Sequence, residues 1–310
     1  MRIAVLDIGT NTFNLIIAES GVKNGFRILY NEKLPVKLGE GGINNGEILQ
    51  DAFDRGIKAI EDHYQTILSY KADNIYAFGT SALRTARNSK DFIDTIKKLT
   101  GIDVEIISGD REAELIYYGV SQTLTMTSEK CLILDIGGGS NEFIIANNKE
   151  ILWKKSYPIG IARLIERFKP SDPIKPSEII AIEEYFFHKL ADLIQLVKQY
   201  DIKILIGASG SFETFIAMIH SADKDFEPQT ALMPQSLSIA NSEFEALYQK
   251  LIKSTTEDRK KMKGLEPMRI EMIVLACLFV KFISKTLNIE TIIQSNFSLK
   301  EGVVYQLFKN

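Results

Sequence analysis

Residues 131–146 read CLILDIGGGSNEFIIA. Leu132, Ile133, Leu134 and Ile136 surround a single acid, Asp135; Gly137, Gly138, Gly139 and Ser140 interrupt the run, and Phe143, Ile144 and Ile145 resume it. This pattern predicts a buried strand, a turn and a second strand. A carboxylate at the end of an apolar strand must be paired, hydrated or metal-bound, because an isolated buried charge is too costly to keep. The three glycines tolerate positive φ and carry no Cβ, so their amides are expected to close on an anion as a backbone nest. One short segment thus offers donors for a phosphate and an acid facing a metal.

The same device stands at the start of the chain. Asp7-Ile8-Gly9 matches Asp135-Ile136-Gly137, Ile16-Ile17-Ala18 matches Ile144-Ile145-Ala146, and Gly79-Thr80-Ser81 matches Gly207-Ala208-Ser209. The offset is constant at 128 (135 less 7, 144 less 16, 207 less 79). Three matches in register read as an internal duplication of one lobe. A chain of 310 residues also exceeds the size, about 250–300 residues, at which a single core stops growing. Two lobes are expected, 1–124 and 125–299, with a closing helix at 300–310 free to return to the first. The polar segment 121–130 is the expected hinge.

Hydrophobic content of 45% and charged content of 25% are those of an ordinary globular protein. The formal net charge of −3 gives no general attraction to nucleic acid, so a polyanion must be met by a local basic cleft. Cys131 and Cys277 lie in apolar runs, which reads as core packing in a reducing, cytoplasmic setting rather than a disulfide. No secretory leader is apparent at the N-terminus, and the longest purely apolar run, 272–280, is well short of the roughly 20 residues a membrane span requires. No membrane partner is expected.

Strands are expected at 3–6, 15–19, 26–31, 75–78, 104–107, 151–157, 202–206 and 291–294. Apolar spacing through Ile48, Phe53, Ile57, Ile60 and Tyr64 predicts a helix. Further helices are expected from Thr80 or Ser81 as cap, from 108–110, at 160–168, 177–200 and 270–283, and at 301–308. The polar loop Thr10-Asn11-Thr12 suits a phosphate. The turn Gly207-Ala208-Ser209-Gly210-Ser211 enters a helix, the geometry that lets helix amides bind an anion. Small residues also simply permit close packing. Asp110, Glu112 and Glu114, in a first turn, have an ordinary explanation in the helix dipole. The stretch 221–240 is expected as a surface excursion over the cleft. The run Arg259-Lys260-Lys261-Met262-Lys263 is most often solvated, but it could also reach a long anionic substrate. His63, His188 and His220 are scattered, so a zinc site is not expected, and neither a GxSxG serine nor a Walker A sequence is present.

Two duplicated lobes with these turns resemble the superfamily of actin, sugar kinases and heat-shock ATPases, an α/β fold of actin-like, ribonuclease H-like lobes around a central interdomain cleft. Within it the chain most resembles the exopolyphosphatase and guanosine pentaphosphate phosphohydrolase (Ppx/GppA) family. The resemblance is carried by DIGTNTFNL at 7–15, GTSALRTARN at 79–88, EIISGDREAEL at 105–115, DIGGGSNE at 135–142, GASGS at 207–211, GLEPMRIEMI at 264–273 and SLKEGVVY at 298–305.

It implies removal of terminal phosphate from inorganic polyphosphate, or alternatively from the 5′ end of pppGpp, with Mg²⁺ as cofactor and a monovalent cation as an optional second ion. By position, Glu112 corresponds to the catalytic base and Glu142 to the acid placing water or metal. Asp7 and Asp135, with Glu142, correspond to the metal-facing acids. Arg84 and Arg269 resemble phosphate-binding arginines, joining Thr10, Asn11, Thr12, Gly137, Gly138, Gly139, Ser140, Ser209, Gly210 and Ser211. Asn14 stands where many relatives carry a basic residue, which weakens phosphate contact for the alarmone more than hydrolysis; Asn141, Glu271 and Lys300 replace Thr, Asp and Arg. The chain ends without the C-terminal helical domains of long members, so shorter substrates are expected. A homodimer is a further expectation. A phosphotransferase, or a non-catalytic nucleotide sensor, would use the same fold.

Overall fold

The computed structural model describes residues 1–21, 25–123, 127–223 and 232–309. Its first sheet contains β1 (Arg2–Ile8), β2 (Thr12–Ser20), β3 (Phe26–Pro35), β4 (Asn74–Gly79) and β5 (Val104–Ile106), in the order β3-β2-β1-β4-β5. The second contains β6 (Cys131–Ile136), β7 (Asn141–Ala146), β8 (Ile151–Tyr157), β9 (Ile204–Ala208), β10 (Ser236–Ile239) and β11 (Thr291–Ser295), in the order β10-β11-β9-β6-β7-β8. Each begins with an antiparallel meander and continues through parallel strands. The duplication is visible in register: Asp7 faces Asn14 across β1 and β2, and Asp135 faces Glu142 across β6 and β7.

Four helices belong to the first half: α1 (Gln50–Tyr70), α2 (Ser81–Thr85), α3 (Ser89–Thr100) and α4 (Gly109–Val120). The second half carries α5 (Ile161–Phe168), α6 (Pro176–Lys189), α7 (Ala191–Tyr200), α8 (Gly210–Ile219), α9 (Asn241–Ile252), α10 (Thr256–Arg259) and α11 (Ile273–Thr286), followed by α12 (Leu299–Lys309).

Side chains alternate across a strand, and here both faces are covered. On β1, Ala4, Leu6 and Ile8 pack toward α1 and α3, while Ile3 and Val5 pack into a middle layer. On β6, Cys131 and Ile133 enter that same middle layer, and Leu132, Leu134 and Ile136 pack outward against helices including α6, α8 and α11. The middle layer is filled by α4 and α12, giving a helix–sheet–helix–sheet–helix stack. Burial on two faces is why these strands read as continuous apolar runs. The last helix, α12, packs on α4 and on β1, β2 and β3.

Several expectations change. The helix expected over 177–200 is broken at Leu190, whose backbone leaves the helical region at φ −108° and ψ 15°; Leu190 is itself buried, as are Ile182 and Phe186 before the break and Leu193 and Val197 after it. The excursion expected over 221–240 contains β10, paired antiparallel to β11; residues 224–231 lie outside the described residues. So do 124–126 of the expected hinge, and with them the division between 124 and 125. Arg259 is not solvated. It is 6% exposed and donates to the carbonyls of Ser254 and Ile270 and to the Asp172 carboxylate, at 2.7, 2.9 and 3.0 Å.

Candidate active site

The turns after β1 and β6 meet at the bottom of a cavity of about 130 Å³ between the two sheets. Each is built by one rule. Gly9 N–H donates to the Thr12 carbonyl and Gly137 N–H to the Ser140 carbonyl, both at 3.1 Å. The carbonyls of the following residues are then pinned outward. Thr10 and Asn11 accept from Gly39, Val36 and Lys37, while Gly137 and Gly138 accept from Ile161 and Ala162, at 3.0 and 2.8 Å. Arg163 Nε holds the Gly139 carbonyl at 2.8 Å. In a trans peptide the N–H points opposite to the preceding C=O, so the Gly138 and Gly139 amides are left as donors, and among the described residues neither has an acceptor.

The expectation of a positive-φ nest is corrected, because none of Gly137, Gly138 and Gly139 has positive φ. Close approach is the reason for glycine. A Cβ on Gly138 would lie 2.5 Å from the Asn11 side chain, and one on Gly139 would lie 2.6 Å from the hydroxyls of Thr10 and Ser81.

Of the residues expected at the site, Asp7, Thr10, Asn11, Thr12, Glu112 and Asp135 line the cavity. So do Gly137, Gly138, Gly139, Ser140 and Glu142, together with Ser209, Gly210 and Arg269. Two do not reach its wall. Ser211 is buried at 4% exposure behind it. Arg84 stands one layer back and donates to Glu112 Oε2 at 3.0 Å, to the Ile107 carbonyl at 2.9 Å and to Ser140 Oγ at 3.4 Å. Glu142 Oε1 accepts from Ser140 Oγ at 2.6 Å and Ser156 Oγ at 2.7 Å. Glu112, Arg84, Ser140 and Glu142 therefore form one connected chain of contacts. Among the described residues the Thr10 hydroxyl, buried on the cavity wall, has no partner, as a group awaiting a ligand would be.

Burial is the chief cause of unusual acidity here. It pushes Asp7 up to about 6, with Asn14 opposing, and Glu142 up to about 7, with Asp135 adding to the rise. Glu112 is raised well above the ordinary carboxylate range by burial and then by Glu142, against the pull of Arg84. Asp135 is raised by burial while the Ser298 hydroxyl, donating at 2.5 Å, opposes.

Among the described residues no three His, Cys, Asp or Glu side chains gather as a cage for a metal ion. A Mg²⁺ site does not need one, since one or two carboxylates, waters and substrate phosphate oxygens suffice. Asp7 and Asp135 both face the cavity and repel each other. Asn14 Nδ2 occupies one Asp7 oxygen at 2.8 Å and Ser298 one Asp135 oxygen. Two buried acids of raised pKa, with Asp135 adding to the rise at Asp7, are a donor set that a divalent cation would relieve, so Mg²⁺ fits.

Sequence reasoning missed Lys33, Glu213, Asn296 and Ser298 on the cavity wall, and it cited Asn14 and Lys300 only as departures from a pattern. Ser298 and Lys300 fall in the quoted SLKEG segment, which was a usable signal. Lys33 and Glu213 carried none.

The chain was compared with known proteins. The model of the Ppx/GppA phosphatase family matches residues 15–310. A putative exopolyphosphatase of Haemophilus influenzae is 27% identical over 100% of this chain and 92% of its own length. An exopolyphosphatase 1 of Mycobacterium tuberculosis is 24% identical over 98% of this chain and 87% of its own. Among solved structures, an exopolyphosphatase from Cytophaga hutchinsonii superposes with a TM-score of 0.95 at 38% identity, covering 99% of this chain and 98% of that one. An Aquifex aeolicus Ppx/GppA protein superposes with a TM-score of 0.81 at 23% identity, covering 99% and 97%; that likeness is one of fold.

Proposed function

Because the chain belongs to the Ppx/GppA phosphatase family, we propose that it is an exopolyphosphatase, releasing terminal phosphate from inorganic polyphosphate by attack of water in line with the phosphoanhydride bond. The observation that carries this reading is the convergence, in one cavity, of the Gly138 and Gly139 amides and the Thr10 hydroxyl with two buried glutamates of raised pKa.

Phosphoryl transfer asks little covalent chemistry of a protein and much positioning and charge neutralisation. The Gly138 and Gly139 amides and the Thr10 hydroxyl would hold the oxygens of the terminal phosphate. Glu112, fixed by Arg84, would take the proton of the attacking water; burial and Glu142, by raising its pKa, make it a stronger base than an ordinary carboxylate. Glu142, held by Ser140 and Ser156, would orient the water against the opposite wall. Asp7 and Asp135 would hold Mg²⁺, which supplies charge neutralisation at the phosphate oxygens when bound.

The test is phosphate release, with Mg²⁺ or with chelator, from tripolyphosphate, long polyphosphate, pppGpp and ATP, by the wild type, Glu112→Gln and Glu142→Gln. Loss of a general base costs typically about 10²–10⁴-fold, so Glu112→Gln is expected to fall into that range. Wild-type turnover retained by both variants would end the assignment. Faster turnover of pppGpp than of any inorganic chain would move the substrate to the nucleotide.

A further inference from the structure

The proposed substrate is a polyanion, yet five acids line the cavity, Asp7, Glu112, Asp135, Glu142 and Glu213, against three cations, Lys33, Arg269 and Lys300. Four of the acids have roles in the reading above. Glu213 has none. It sits in the first turn of α8, and its carboxylate is in contact with Lys33 Nζ, which reaches it from β3 in the other lobe. The pair remains partly accessible, with side chains 22% and 28% exposed, so it lies at the cavity wall and not in a sealed core.

The surroundings of Glu213 are those of a bound anion. Burial alone would raise its pKa, but Lys33, then Lys300 and Arg269, hold it below the usual range. The Arg269 guanidinium lies directly over Gly210, where a Cβ would come within 1.6 Å of Nη2. Lys300 is itself held cationic, against burial, by Glu301, Glu213 and Asp7.

We propose that Lys33, with Arg269 and Lys300, forms a second phosphate subsite, and that the Glu213 carboxylate occupies it in the free protein and is displaced by the second phosphate of the substrate. The proposal rests on the phosphatase reading and deepens it. A chain of phosphates exchanges Glu213 for a substrate oxygen on Lys33, whereas a monophosphate has nothing to offer at that position. Selection for polyphosphorylated substrates then comes from the cost of displacing an internal anion, which only a second phosphate repays. Removing the acid should therefore tighten binding, the opposite of what loss of a structural bridge does.

The experiment compares KM and kcat for tripolyphosphate, and calorimetric binding of tripolyphosphate without turnover, in wild type, Lys33→Met, Glu213→Gln and the double variant. A charge-assisted hydrogen bond to phosphate is worth about tenfold or more in affinity, so Lys33→Met is expected to raise KM by about that factor with a smaller effect on kcat. Glu213→Gln is expected to lower KM and the tripolyphosphate Kd several-fold, and the double variant to resemble Lys33→Met. Glu213→Ala, which also removes the carboxylate, should move Kd in the same direction and serves if the Gln variant does not fold. A KM and Kd unchanged or raised by Glu213→Gln, or a Lys33→Met variant with wild-type KM and Kd, would overturn the proposal. Binding that tightens in Glu213→Gln while no substrate is hydrolysed would sink the phosphatase reading and leave the subsite standing.

Discussion

A glutamate at 1% exposure, hydrogen-bonded by two serines and in no ion pair among the described residues, is a poor place for a negative charge, and Glu142 is such a group. Its folded pKa of about 7 lies above the roughly 4.3 of an unfolded glutamate. The folded state therefore binds the proton more tightly, so this contribution to stability is full below about pH 4.3 and is lost as pH rises through 7. Asp7, pushed up to about 6, acts in the same sense over a lower window. In chelator, wild type is expected to lose on the order of 3 kcal/mol between pH 4.5 and 7.5 that Glu142→Gln does not lose, and Mg²⁺ should shrink the difference. Thermal melts of both proteins across that range check it; parallel curves would show that Glu142 does not carry the proton. At this scale the sequence was informative about acids. An acid in an apolar strand stands out, which is how Asp135 was found, with Asp7 following from the repeat; Glu142 came from the family resemblance. Lys33 and Glu213 sit in a half-exposed strand and a first helical turn, where their residue types are ordinary, and only the fold brings them together.

The crossing of α4 and α12 shows what sequence hides at the next scale. Gly119 and Gly302 each read as a helical glycine, costing about 1 kcal/mol relative to alanine. In the structure a Cβ at Gly302 would stand 1.8 Å from the Leu115 carbonyl oxygen, and one at Gly119 would stand 1.9 Å from that of Ser298. Backbone cannot rotate aside, so Gly302→Ala must push the helices apart in the middle layer and disturb Ser298 and Lys300 at the cavity. Overpacking of this kind costs typically 1–3 kcal/mol and occasionally more. Urea denaturation is expected to show about 3 kcal/mol lost, at the upper end of that range, with an activity loss at low denaturant as well. A variant as stable as wild type would mean the two helices do not cross as closely as described. The strands were easier to read. Two-sided burial gives β1, β2, β6 and β7 continuous apolar runs, whereas β10 has four residues with only Ile239 well buried, too weak a pattern to mark. The break at Leu190 lacks any glycine or proline, so apolar spacing ran through it.

At the scale of the molecule, the 128-residue repeat made two lobes legible, because equivalent positions keep their register even where the chemistry differs: Asn14 and Glu142 occupy corresponding places opposite Asp7 and Asp135. How the lobes are held was not legible, since each tie joins residues far apart in sequence. Lys33 to Glu213 and Lys37 to Glu271, the latter at 2.7 Å, bridge the cleft. The most connected tie is Arg163 on α5. Besides the Gly139 carbonyl, it donates to the Ile43 carbonyl at 2.7 Å and to Thr85 Oγ1 at 3.1 Å, and Asn44 Nδ2 donates to its own carbonyl. One guanidinium thus fixes the orientation of the glycine turn after β6 and its distance from the opposite lobe. A lysine, a point charge without the rigid fork, cannot hold three acceptors in those directions. Arg163 is a positioning residue, so Arg163→Ala should reduce kcat more than it raises KM, by about 10–100-fold if one to two charge-assisted bonds are lost from the closed state. Arg163→Lys should recover only part of the loss. If the arrangement also sets lobe closure, small-angle scattering of Arg163→Ala will show a larger radius of gyration that saturating tripolyphosphate restores, because ligand contacts from both lobes favour the closed form. Unchanged scattering and unchanged kcat in that variant would mean that the glycine turn keeps its place without the clamp.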